Sequence, residues 1–137
     1  MRTSIRTLVL AAGLCLPAAA LAQPATQGDL GTLDAGVPVV FNTGGTAIGE
    51  VKWWTFTLDR DVKYSELRFL DILTSGFIVE DTEIAVYDAS GNRMAFDDDD
   101  GPSFESFLTF GTGSGAYNGG SVANGRDWDL PAGTYYL

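Results

Sequence analysis

Four consecutive carboxylates, Asp97, Asp98, Asp99 and Asp100, form the densest charge cluster in the sequence and directly follow a hairpin signal. Neighbouring carboxylates about 6 Å apart repel by roughly 0.7 kcal/mol per pair even at water's dielectric constant. Such a run either faces water or shares a hard cation, and an oxygen-only ligand set suits calcium. Asp81 and Asp88, with Glu80, fall at flanking strand ends and are candidates to converge on the same rim. Familiar calcium loops do not account for the run. Aligning Gly101 with the sixth position of an EF-hand puts Phe96 first and Phe107 twelfth, where oxygen ligands are required. The β-roll repeat fails too, because Gly119-Gly120-Ser121-Val122 lacks its third glycine. A generic hard-cation site and a solvated acidic turn both stay open.

Other chemistries are narrower. The chain has no histidine and a single cysteine, Cys15, which removes Ser-His-Asp and Cys-His nucleophile systems and histidine-based zinc sites. A Ser-Lys pair would need Lys52 or Lys63, both in strand or turn contexts that suit solvated side chains. A glycosidase-type carboxylate pair is allowed by residue type, but a domain of this size has little room for a substrate cleft. The expectation is a non-catalytic protein. Exposed aromatics on a β-sandwich offer an alternative, a carbohydrate-binding module. Trp54 is in phase with Phe56 and Leu58 and belongs to the core, leaving Trp53 and Trp128 as sugar-platform candidates. Packing under a glycine-rich loop is the competing fate of both.

The elements that must position these groups are strands. Residues 82–87 are β-branched and aromatic, Asp88-Ala89-Ser90-Gly91 is a type I turn sequence, and residues 93–96 return. Residues 50–58 alternate, with Trp54, Phe56 and Leu58 on one face. Residues 64–73 predict another strand, with Leu67 and Phe69 alternating against Glu66 and Arg68. Residues 37–41 suggest an edge strand that tolerates Pro38. Phe104, Phe107, Leu108 and Phe110 suggest a further strand, and the glycine-rich residues 111–125 a long loop. No apolar stripe has helical spacing. The pattern predicts an all-β antiparallel sandwich. The chain stops inside a strand that starts at Thr134, so a fragment lacking its last strand is expected, with an unpaired edge beside residues 134–137.

Residues 1–22 carry Arg2 and Arg6, a short apolar run and Ala20-Leu21-Ala22, the pattern of a secretory signal peptide cleaved before Gln23. The run is too short for the roughly 20 residues of a membrane span. Leu14 before Cys15 argues against lipoprotein processing. A secreted, periplasmic or cell-surface location follows, with no membrane insertion after cleavage. Residues 23–36 are expected to be a flexible mature N-terminus, and residues 37–137 the domain. Loss of Arg2 and Arg6 leaves 18 acids against six bases and moves the formal charge from −10 to −12. Such a surface repels nucleic acid and anionic lipid and attracts cations.

Several segments in order, Trp54-Thr55-Phe56-Thr57-Leu58, Phe69-Leu70-Asp71-Ile72, Asp81-Thr82-Glu83-Ile84, Asp98-Asp99-Asp100-Gly101 with Ser106, and Leu130-Pro131-Ala132-Gly133-Thr134-Tyr135-Tyr136, resemble the bacterial pre-peptidase C-terminal domain family. The resemblance covers about residues 37–137. It implies a secreted β-sandwich of jelly-roll type, related to the collagen-binding domains of clostridial collagenases, some of which bind calcium. It further implies an accessory or binding role, with an extracellular protein or polysaccharide as partner.

Overall fold

The computed structural model describes residues 24–34, 39–40, 49–74, 81–101, 103–113, 117–118, 121–122 and 127–137. The leader assigned to residues 1–22 and Glu80 lie outside them, as does most of the segment 37–41. Val39 and Val40 are described, carry no strand and are exposed.

The described residues form an all-β, sandwich-like fold, with a large and a small sheet packed against each other. Its strands are β1 (Gly28–Thr32), β2 (Trp54–Leu58), β3 (Phe69–Leu73), β4 (Ile84–Asp88), β5 (Arg93–Asp97), β6 (Phe107–Gly111), β7 (Tyr117–Asn118), β8 (Ser121–Val122) and β9 (Gly133–Tyr136). One sheet has the order β1-β2-β9-β4-β5, a second pairs β3 with β6, and β7 and β8 form a two-residue ladder inside the expected long loop. Alternation decides which side chains meet between the sheets. Phe56 of β2, Val86 of β4 and Tyr135 of β9 project from one side. Leu108 and Phe110 of β6, with Leu70 and Ile72 of β3, project from the other. The Phe56 and Tyr135 rings are register partners and stack with centroids 5.4 Å apart. Tyr135 also donates its hydroxyl to Pro131 O at 2.6 Å, so the buried ring leaves no polar atom unserved.

Four expectations are corrected. Residues 23–36 are not simply a loose tail, because β1 pairs parallel to β2, Gly28 opposite Trp54, and so departs from an all-antiparallel plan. Its polar, glycine-containing sequence hid it, since an edge strand can be held by main-chain bonds and by Thr55 Oγ1 donating to Asp29 at 2.9 Å. Residues 64–73 are not one strand: Tyr64–Glu66 form a 3₁₀ turn closed by Leu67 in the left-handed region at φ 54°. That turn reverses the phase, leaving Leu67 82% and Phe69 52% exposed while Leu70 and Ile72 face the core. Phe104 lies exposed ahead of β6 and is not part of it. Finally, residues 134–137 do not border an unpaired edge, because β9 lies between β2 and β4 and pairs with both.

A clasp joins the two segments that lead into β3 and β9. Val62 and Leu130 form a reciprocal bridge, Ala132 N–H donates to Asp61 at 2.7 Å, and Tyr64 N–H donates to Asp129 at 2.9 Å. Next to it, Gly111 turns at φ +67°, and a Cβ there would overlap the Arg68 carbonyl oxygen and crowd Val62. Both the conformation and the space demand glycine. Gly111→Ala is expected to destabilise the fold by more than about 2 kcal/mol, measured as a fall in the urea midpoint with unchanged slope.

Candidate functional site

The β4–β5 hairpin forms where its turn chemistry places it, and this separates the acidic candidates. Asp88 accepts Ser90 N–H and Asn92 N–H at 2.8 Å each on Oδ1, and the Asn92 amide at 2.8 Å on Oδ2. Gly91 N–H returns to Asp88 O at 3.0 Å, with Gly91 at φ 81°. Asp88 therefore caps the turn. It stands four residues along β4 from Ile84, about 13 Å at a strand's rise, and does not join the acidic rim as expected. The Asn92 side chain foremost, then the backbone amides, holds its carboxyl below the ordinary value.

Register brings the opposite end of the hairpin to the run of acids, since Ile84 pairs with Asp97. Asp97 turns inward. It is 6% exposed, and its Oδ2 accepts Phe107 N–H at 2.8 Å and Asp100 N–H at 3.0 Å. One carboxylate thus closes the turn over residues 97–100 and joins the end of β5 to the start of β6. Asp97 and Asp100 are structural members of this turn and lie outside the carboxylate cluster. The cluster consists of Asp81, Asp98 and Asp99, all exposed, each offering an oxygen within 4.8 Å of the others.

Hydroxyls hold the main chain at Asp98 and beside Asp81. Thr82, next to Asp81, sends its N–H to Phe104 O at 3.1 Å, and its Oγ1 lies 2.7 Å from Thr74 Oγ1. Ser106 is fully buried, receives Thr74 Oγ1 as acceptor of its N–H at 2.8 Å, and sets its own hydroxyl against Asp98 O at 2.8 Å and Thr82 O. A serine has one proton, so it donates to one of those carbonyls at a time. The knot ties the Asp81 and Asp98 main chains to a common point. Gly101 completes the loop: its N–H donates to Glu105 O at 2.7 Å, and a Cβ there would sit 2.5 Å from that oxygen. Nothing in the sequence marks Thr74 and Thr82 as parts of a hydroxyl knot, because a short hydroxyl side chain has no periodicity or motif that separates a knot from a surface.

Electrostatically the rim is strained. Partial desolvation, then the like charges of Asp99, Asp81, Glu83 and Asp97, raise the Asp98 carboxyl above its ordinary value. Three hard oxygen donors on a fixed frame can share a divalent cation, which would relieve that repulsion.

The aromatic candidates also separate. Trp53 is half-buried and packs against Tyr87, with centroids 5.4 Å apart and planes tilted by 58°. It is not a free platform. Trp54, only half-buried, packs beside Gly28. Trp128 is 81% exposed and sits at φ 73°, a conformation that costs a non-glycine residue about 1–2 kcal/mol. Comparison of the chain with protein-family models, with curated proteins and with solved structures finds no match.

The acids predict a two-sided pH response. Asp98 titrates above 3.8 when folded, so as the pH falls through that raised value the folded chain takes up a proton first and stability rises. Asp61 and Asp88 titrate below 3.8 when folded, held down by Lys63 and by Asn92 respectively. Their contribution is present above 3.8 and is lost as the pH falls through their lowered values. Thermal melting in metal-free buffer should therefore peak in mild acid and fall below pH 3.8. Asp98→Asn should flatten the rise and leave the acid-side fall.

Proposed function

We propose that this chain is an exported, non-catalytic β-sandwich module that binds an extracellular protein or polysaccharide and holds a divalent cation, calcium by ligand type, at Asp81, Asp98 and Asp99. The observation that carries the reading is the pre-placed carboxylate triad, with its oxygens within 4.8 Å of one another. Hard oxygen donors suit calcium, whose flexible coordination tolerates an irregular set completed by water. Extracellular sites of this kind are weak, in keeping with three exposed ligands. The cation would tie β4 to the end of β5 and neutralise the rim. The resemblance to pre-peptidase C-terminal domains supports an accessory role, and the lack of histidine supports the absence of nucleophilic catalysis. The leader features of residues 1–22 support export.

A cation that binds only the folded state stabilises it. With calcium at ten times the dissociation constant, linkage gives roughly 1.4 kcal/mol, or about 4–6 °C in melting temperature. Magnesium, which gives up water reluctantly, should do less. Asp98→Asn with Asp99→Asn should abolish the calcium response and raise the melting temperature of the metal-free protein. A melting curve unmoved by several millimolar calcium overturns the cation site. N-terminal sequencing of exported material should begin at Gln23; retained Met1 or a lipid on Cys15 would contradict export by signal-peptide cleavage.

A further inference from the structure

Far along β6 from the acidic rim, Trp128 presents its indole to solvent on main chain held by hydrogen bonds on both sides. Gly111 N–H donates to Trp128 O at 2.8 Å, and Asp127 N–H to Thr109 O at 2.9 Å. Thr109 N–H returns to Asp127 Oδ2 at 2.7 Å. On the other side, Tyr64 N–H donates to Asp129 Oδ1 at 2.9 Å, and Leu130 N–H to Val62 O at 2.9 Å. The residue is pinned before, at and after the ring, in a left-handed conformation that a bulky side chain rarely adopts. Such an outlier persists only where its surroundings over-determine it, and it points to a functional position. Tyr64, also exposed, shares with Trp128, Gly111 and Asp129 the wall of an open depression of about 520 Å³.

We infer that this depression binds a neutral pyranose ring of a polysaccharide, stacked on Trp128 and flanked by Tyr64, with Asp129 accepting hydrogen bonds from the sugar hydroxyls. A pyranose offers an apolar C–H face bordered by hydroxyls. An uncovered indole suits the face, and a phenol and a carboxylate suit the border. Charge chooses among ligands that stack: Asp129 in the wall and a formal net charge of −10 disfavour uronic acids, sulfated sugars and nucleic acid. A proline-rich peptide would stack as well, but the depression's hydrogen-bonding side chains serve a hydroxyl-rich ligand better. The proposal rests on the binding role proposed above and names its ligand and place, while it shares no residue with the cation site, so its failure leaves the cation reading standing.

The test is titration of the full chain, in EDTA, with cello-, chito-, manno- and xylo-oligosaccharides, followed by calorimetry and tryptophan fluorescence. At least one series should bind and perturb the fluorescence. Trp128→Ala should weaken binding at least about tenfold and Tyr64→Ala several-fold, while Trp53→Ala leaves it unchanged. Trp128→Gly removes the ring and relieves the left-handed backbone, so it should fold at least as stably as the parent and still lose binding. Failure of every neutral series at millimolar concentration overturns the proposal. Binding that survives both Trp128→Gly and Tyr64→Ala, or a preference for a proline-rich peptide over all the sugars, overturns it too.

Discussion

The outer edge of β6 is the constraint on which both candidate sites rest. Its residues are buried throughout, and the amides of Phe107, Thr109 and Gly111 point away from β3 toward positions where a further strand would pair. A buried amide without a partner costs about 1–3 kcal/mol. Three acceptors from elsewhere meet them in turn: the Asp97 carboxylate, the Asp127 carboxylate and the Trp128 carbonyl. Each local peculiarity follows from that service. Asp97 turns inward to reach Phe107, which leaves Asp98 and Asp99 standing on the rim. Trp128 offers its carbonyl to Gly111 within a backbone twist that leaves its ring uncovered. The acidic rim and the aromatic depression are two ends of one edge-capping arrangement.

This dependence explains what was legible in the sequence. The hairpin was, because everything that makes it is local: a β-branched run, Asp88 bonding amides two and four residues on, and Gly91 at positive φ. The alternation over residues 54–58 likewise marks β2, with Phe56 and Leu58 in the core, while Trp54, expected there too, is only half-buried and outside the core cluster. The fate of four adjacent aspartates was not legible. Which one turns inward is decided by an amide ten residues later in the chain, and composition carries no record of that partner. Asp88 shares the acids' neighbourhood in the sequence, yet its carboxylate is taken up by the turn it caps. Trp53 and Trp128 are chemically equivalent as letters, and only the fold packs Tyr87 against one and leaves the other uncovered at a left-handed turn.

Phase errors have an equally specific origin. A strand pattern extended from Tyr64 assigns Leu67 and Phe69 to the interior. A single left-handed residue, Leu67, resets the alternation by interposing a 3₁₀ turn. The two apolar side chains on the wrong phase then stay in water, while Leu70 and Ile72 meet Phe110 and Leu108 across the small sheet. The strand β1 is hidden for the converse reason: only Leu30 and, just beyond it, Leu33 reach the core, and so short a glycine-containing run shows no alternation.

The position of β9 bears on how such a chain is made. Its strand partners, β2 and β4, lie far earlier in the sequence, and Thr55 meets Tyr136 only after the long segment between them has been made. Without β9 the large sheet would divide into two pairs, parallel β1–β2 and the β4–β5 hairpin, and pairings of such long sequence separation form slowly. A polypeptide built this way cannot complete its large sheet until β9 is available to both of its neighbours. It acquires its tertiary structure only once the late-emerging strand closes the gap.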